Sequence, residues 1–336
     1  MVETRILRLF RRRFVTGAAS LAAAGLAGLR GRTGWAAAQE APYPARPVRV
    51  VSPFPPGQDI LVRAPAEAWT EFLGQPVVVD NRPGAGGGLA AEHVARSPAD
   101  GYTLLVGSSD AIVYSFVMAG RPPLDPFRDF VPVGRVMRDH WVIAASPALG
   151  VDSVAELVAL AKARPGQLNY ATPGMGHSFH LQAERFCRRT GIEAVHVPYR
   201  DNYVPDLMAG RVAFVVQAAA PVLPQLAAGH LRGLAVLSAA RVEALPDVPT
   251  IGEAAYPDLV YNGGVTLFAP AGTPPPVVRR LSEAMNRAAE TPGLRRRFAD
   301  LGLETVQSSP EDAVRYLRGL IALQDEIRTV VFGRAR

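Results

Sequence analysis

Val77-Val78-Val79-Asp80-Asn81-Arg82-Pro83-Gly84-Ala85-Gly86-Gly87-Gly88-Leu89-Ala90-Ala91 reads as a strand, a glycine-rich turn and the opening of a helix. A run of β-branched residues suits a strand covered on both faces. The same strand–loop–helix order recurs at three other places. Pro53-Phe54-Pro55-Pro56-Gly57-Gln58-Asp59 follows a strand at Val48–Val51. Gly107-Ser108-Ser109-Asp110 follows one at Thr103–Val106. Thr172-Pro173-Gly174-Met175-Gly176-His177-Ser178 follows one at Leu168–Ala171. Short apolar runs alternating with helical patterns predict an α/β architecture with largely parallel sheets.

Working outward, further strands are expected at Val131–Val136, Trp141–Ala145, Ala194–Val197, Phe214–Gln217, Leu234–Leu237 and Val265–Phe268. Ser153-Val154-Ala155-Glu156 is a capping box, in which the Ser oxygen accepts from a free N–H and the Glu reaches back. Thr273-Pro274, Thr291-Pro292 and Ser309-Pro310 each pair an N-cap oxygen with Pro in the first turn. They predict a helical C-terminal region, whose last helix sets Ala313, Tyr316, Leu317, Leu320, Leu323, Ile327 and Val331 on one stripe. Gln324 interrupts that stripe, so the face is expected to be partly wet there. The chain is expected to cross between two domains near Trp141–Pro147 and again near Val260–Pro270, with the C-terminal helices returning to the first.

The N-terminus is a separate matter. Arg11-Arg12-Arg13-Phe14-Val15 is a twin-arginine pattern, followed by an apolar stretch from Val15 to Leu29 and by Ala36-Ala37-Ala38. That order describes a secretory leader of the Tat type over residues 1–38. About 15 apolar residues fall short of the ~20 needed to span a bilayer. The leader also carries the basic excess. Removing its seven Arg from 36 basic residues and its one Glu from 30 acidic ones leaves 29 of each. A neutral mature chain with a single lysine, Lys162, has no electrostatic case for nucleic acid. The remaining 298 of 336 residues suffice for two domains. Cys187 stands alone, which excludes an internal disulfide and reads as an inert buried thiol.

The four loops are the candidate chemistry. In open α/β sheets, ligands bind beyond the carboxyl ends of strands. A helix N-terminus there offers unpaired N–H groups and a partial positive charge. Glycine lets an anion approach that backbone. A carboxylate can therefore be held without Lys or Arg. Sharper chemistries fit less well. Gly86-Gly87-Gly88-Leu89-Ala90-Ala91 matches a relaxed dinucleotide pattern, but it sits too far from its strand and lacks the acidic residue. Gly176-His177-Ser178-Phe179-His180 approaches a hydrolase elbow with Ser178 as nucleophile, yet His180 replaces the last Gly. His177 and His180 without a third ligand are weak evidence for zinc. His177 is expected to donate a hydrogen bond within the loop, and His180 to pack against the helix. Arg295-Arg296-Arg297 reads as a solvated face, and Trp69 with Phe72 as core packing.

The chain resembles the Bug/TctC family, the extracytoplasmic solute receptors of tripartite tricarboxylate transporters. The resemblance rests on Tyr43-Pro44-Ala45-Arg46-Pro47-Val48-Arg49, Pro53-Phe54-Pro55-Pro56-Gly57, Leu73-Gly74-Gln75-Pro76 running into Val77–Gly87, Pro98-Ala99-Asp100-Gly101-Tyr102-Thr103-Leu104, His196-Val197-Pro198-Tyr199, Leu245-Pro246-Asp247-Val248-Pro249-Thr250 and Ala269-Pro270-Ala271-Gly272-Thr273-Pro274. It covers nearly all of the chain after the leader. It implies a type II periplasmic-binding-protein fold with two α/β lobes, a central cleft and two inter-lobe crossings. Lobe 1 would comprise residues 39–143 plus 262–336, and lobe 2 residues 144–261. It also implies a periplasmic, non-catalytic, monomeric receptor, without cofactor or metal, that captures a small organic acid by lobe closure for membrane transporter subunits. Carried over position by position, the ligand-binding residues are Phe54, Gly57, Asp59, Ser108, Thr172, Gly174, Gly176, His177, Ser178, Tyr199 and Gln217. Two departures stand out. Gly57-Gln58-Asp59 is shortened, and Arg200-Asp201-Asn202-Tyr203-Val204-Pro205 replaces the usual Lys-Gly-Ser-Ala-Pro. An amphoteric ligand suits Arg200 and Asp201 better than a di- or tricarboxylate does. The rival readings are an exported serine hydrolase using Ser178 and a ligand sensor for a membrane kinase.

Overall fold

The computed structural model describes residues 43–56, 59–118 and 124–332. The expected leader, and Gly57 and Gln58 with it, lie outside the described residues. The strands are β1 (Val48–Ser52), β2 (Val77–Asn81), β3 (Thr103–Ser108), β4 (Phe130–Asp139), β5 (Trp141–Ala145), β6 (Leu168–Thr172), β7 (Ala194–Pro198), β8 (Phe214–Ala218), β9 (Arg232–Val236), β10 (Gly263–Pro270) and β11 (Leu303–Thr305). The helices are α1 (Ile60–Leu73), α2 (Gly88–Ala95), α3 (Ser109–Met118), α4 (Val154–Ala163), α5 (Ser178–Thr190), α6 (Val204–Met208), α7 (Leu223–Ala227), α8 (Pro275–Ala289), α9 (Pro292–Ala299) and α10 (Pro310–Phe332). Each of the ten expected strands is present. The three-residue β11, too short to show a period, is additional.

Two sheets form, one ordered β11-β4-β10-β3-β1-β2 and the other β7-β6-β8-β5-β9. Both are mixed rather than largely parallel. The β1–β2, β1–β3, β6–β7 and β6–β8 pairs are parallel. The strands that carry the chain between sheets enter antiparallel, β10 against β3 and β4, and β5 against β8 and β9. The reason is topological. Parallel neighbours need a helical crossover, whereas a chain leaving one sheet directly for the other runs back beside its neighbours.

The chain changes sheets twice. The first crossing falls at His140, between Asp139 of β4 and Trp141 of β5. This is slightly earlier than Trp141–Pro147, because Trp141 already pairs with Ala218 of the second sheet. The return is made through Tyr261 and Asn262, and Gly263 of β10 pairs with Asp139. Gly263 can sit there because it lacks a side chain. A Cβ at that position would lie 2.0 Å from Asp139 Oδ1 and 2.4 Å from Trp141 Nε1.

Helix α8 buries Leu281, Ala284, Met285 and Ala288 toward the first sheet. Helix α10 packs on α3 and β4 and also on α5, so it reaches elements of both sheets. Ser153 caps α4 by accepting from Glu156 N at 3.2 Å, and Glu156 accepts from Asp152 N at 2.7 Å. Thr291 and Ser309 cap their helices through Leu294 N and Asp312 N. Thr273 does not cap, since its hydroxyl donates to Pro270 O at 2.7 Å and Pro274 takes the N-cap position. Gln324 is buried rather than wet, at 1 % exposure. Trp69 is core, Arg295, Arg296 and Arg297 are exposed, and burial pushes the Cys187 thiol up to about 12. That leaves it protonated and unreactive.

Candidate functional site

A cavity of about 650 Å³ opens between the loops that end the strands of the two sheets. On one side stand Pro53, Phe54 and Pro55 after β1, Pro83–Gly88 after β2, and Gly107 and Ser108 at the end of β3. On the other stand His177, Ser178 and Phe179 after β6, with Ala218 ending β8. Asp139, Trp141, Gly264 and Val265, from the two crossings, complete the wall. Thus α2, α3 and α5 all begin at the cavity. Backbone N–H groups at a helix start lack intrahelical acceptors and favour negative charge. The turn before α2 needs its glycines. Gly84, Gly86 and Gly87 have φ of 127°, 61° and 96°, in a region costly for residues with a Cβ.

Asp59 stands behind this surface. It is 2 % exposed, pairs with Arg63 at 2.7 Å and accepts from Asn81 Nδ2 at 2.8 Å. The same Asn81 amide donates to Phe54 O at 2.9 Å. Asp59 therefore braces the loop that carries Phe54, and it does not line the cavity.

The opposite loop is shaped the same way, from beneath. Thr172 Oγ1 accepts from Gly174 N at 3.2 Å and lies 2.6 Å from His196 Nε2. His180 Nδ1 accepts from Gly176 N at 3.0 Å. The His180 and His196 rings are 4.2 Å apart, and both stack on Tyr170, whose hydroxyl donates to Glu184. Burial, and then the neighbouring His196, lower His180 to about 4. His177, which does line the cavity, is lowered to about 4 by burial alone. It accepts from Phe179 N at 3.2 Å as the N-cap of α5, rather than donating in the loop. Both imidazoles are neutral at pH 7.

Phe54, Ser108, His177 and Ser178 thus stand together on the cavity wall, while Thr172, Gly174 and Gly176 support it from behind. Tyr199 and Gln217 lie elsewhere. Tyr199 donates to Asp206 at 2.6 Å, and Gln217 accepts from the Tyr203 hydroxyl. Arg200 and Asp201 are exposed and do not line the cavity, so the departure at that segment has no direct contact with its contents.

The carry-over of family positions missed the acidic end of the cavity. Asp110, in the first turn of α3, accepts from the Tyr261 hydroxyl. Asp139, ending β4, accepts from Trp141 Nε1 at 3.2 Å. Burial raises both carboxyls, Asp110 to about 6 and Asp139 to about 8, and the charge of Asp110 adds to the second. Like charges in a shared low-dielectric site disfavour double ionisation. The Trp141 ring meets Tyr261 edge-on at 4.7 Å and Phe179 at 5.0 Å. Asp110 was visible in sequence as the end of one glycine-containing loop. Asp139 carried no signal, because an acid at a strand end is ordinary until the fold buries it.

Among the described residues, no group of three or more His, Cys, Asp or Glu side chains could hold a metal. No helix among them is long and apolar enough to cross a membrane.

The family model of the tripartite tricarboxylate transporter family receptor matches residues 61–328. The protein BugT of Bordetella pertussis is 38 % identical over 291 residues, covering 85 % of this chain and 87 % of its own. A solved R. palustris protein with adipate is 34 % identical at a TM-score of 0.75, over 85 % of this chain and 97 % of its own. MatC from Rhodopseudomonas palustris, solved with bound malate, is 28 % identical at a TM-score of 0.73, over 85 % of this chain and 99 % of its own.

Proposed function

Because this chain belongs to the tripartite tricarboxylate transporter receptor family, a family of solute-binding receptors, we propose that it captures a small carboxylate-bearing ligand in the cavity between its two sheets and catalyses nothing. The observation that carries this reading is the meeting of three helix starts on one cavity of about 650 Å³. That volume lies within the range of small-molecule sites. The relatives solved with adipate and with malate support a carboxylate.

Capture follows from the position of the crossings. A ligand touching Phe54 and the glycine loop on one side, and His177 and Ser178 on the other, binds the closed state better than the open one. It shifts the population toward closure. The two lobes are those built on the two sheets, hinged at His140 and Asn262. The closed form is then read by membrane transporter subunits, in the periplasm after removal of the leader. Phe54, Ser108, His177 and Ser178 are the proposed contacts. Asp59, Thr172, Gly174 and Gly176 are proposed to position them.

The test is a thermal-shift screen of the mature protein against mono- and dicarboxylates, aromatic acids and amino acids. A ligand at 100 times its Kd adds about 2.7 kcal/mol, a rise of several degrees at this size. A compound that raises Tm and is recovered unchanged supports the reading. A folded protein that answers to none of them sinks it, as does a reaction with a serine-directed probe that disappears in Ser178→Ala.

A further inference from the structure

The cavity wall contains three carboxyl side chains, Glu92, Asp110 and Asp139, and no Lys or Arg. A dianion entering it finds the glycine amides and the starts of α2 and α5, but it also meets buried Asp110, in the first turn of α3, and half-buried Asp139. We infer that the ligand is an apolar zwitterion of the amino-acid class, its carboxylate on the glycine loop at the start of α2 and its ammonium group between Asp110 and Asp139. This rests on the cavity being the capture site proposed above, and it names the class of ligand for that site.

Four observations carry it. First, the pair is held by neutral donors. Asp110 accepts from the Tyr261 hydroxyl and the Gly264 amide, and Asp139 from the Trp141 indole. Second, the nearby guanidinium acts on both acids only through space, lowering them, and makes its bonds elsewhere. Arg135 donates to Gly263 O at 3.1 Å and lies 3.7 Å over the Tyr316 ring, and it makes no ion pair with either acid. Tyr261 and Tyr316 complete the titratable groups packed on the pair, and burial holds both protonated. Third, apart from Ser108, His177 and Ser178, the rest of the wall is apolar, glycine-rich or aromatic. Phe54, Phe130, Trp141 and Phe179 surround the space a ligand body would fill. Fourth, Gly264 lines the cavity beside the pair. A Cβ there would lie 2.3 Å from Met137 O, so this stretch of β10 is pressed against β4, and the Gly264 amide bonds Asp110. The raised carboxyls fit this arrangement. The empty pair keeps a proton near pH 7, and a bound cation displaces it.

The experiment uses matched probes: L-phenylalanine against 3-phenylpropanoate, L-leucine against 4-methylpentanoate, and adipate and malate as dianions. Affinities are measured by calorimetry at pH 7 in two buffers of different ionisation enthalpy, which also counts protons. The expected result is that one amino acid binds at least tenfold tighter than its des-amino partner and releases up to one proton. Asp139→Asn, with Tm unchanged or raised, should reduce that preference below threefold. Asp110→Asn is the second variant should the first fail to fold, and the proton count needs neither. Equal or tighter binding of a des-amino acid or a dianion, or proton uptake on binding, overturns the inference and leaves carboxylate capture standing. If no probe binds and the wider screen of acids is also silent, capture itself fails.

Discussion

Replacing His180 with Leu should remove a defined part of this protein's acid sensitivity. The imidazole titrates at 6.5 in the unfolded chain and at about 4 in the folded one. Between those values the unfolded state binds a proton that the native state refuses. Stability therefore rises with pH across the interval, is fully present above 6.5, and is lost as pH falls through 4. A lowering from 6.5 to about 4 corresponds to about 3 kcal/mol. The mechanism is local. Protonated Nδ1 cannot accept from Gly176 N, a bond of 3.0 Å that holds the loop leading into His177 and Ser178. At pH 7, His180→Leu leaves that N–H without its acceptor and should cost about 1–3 kcal/mol. At pH 4 the wild type has lost the same bond, so the gap between the two proteins should close or reverse. The assay is urea denaturation of both proteins at half-unit steps from pH 7.5 to 4. The comparison cancels every group the two proteins share. Stability curves that stay parallel, within about 0.5 kcal/mol over the whole range, would refute the reasoning.

Other consequences follow from the crossings and the wall. Asp139 is raised from 3.8 to about 8, so its native state holds the proton longer than the unfolded one does, and the stability it contributes should be lost progressively as pH rises from 3.8 through about 8. Asp139→Asn should flatten that decline in thermal melts, and a variant that keeps the wild-type slope would contradict the assignment. Gly263→Ala places a Cβ 2.0 Å from Asp139 Oδ1 and should lower stability by about 1–3 kcal/mol; unchanged melting would show that the crossing tolerates it. Trp141→Ala removes a side chain at 1 % exposure and should cost about 3–5 kcal/mol, measured by denaturant titration. Phe54→Ala, at a half-buried position on the wall, should weaken ligand binding at least tenfold while shifting the unliganded Tm little; full affinity would remove Phe54 from the contacts.

The sequence alone determined much of this. Val48–Val51 read as a buried strand and forms one, whereas Val77–Val79, expected to be covered on both faces, forms the edge strand of its sheet with Val78 52 % exposed. The Gly84–Gly88 turn was legible from its glycines, three of which take positive φ. The motifs from Tyr43 to Pro274 named the family before any coordinate did. Tertiary structure decided the rest. That Asp59 faces away from the cavity, braced by Asn81 and Arg63, depends on contacts 22 and four residues distant in the chain. That Asp110 and Asp139 share one end of the cavity depends on β4, α3 and the segment before β10 meeting at the crossings. The charge state of those acids depends on burial there. Local pattern reports which face of an element is apolar. It does not report which polar residue two distant segments will enclose together, because that is set by where the chain changes sheets.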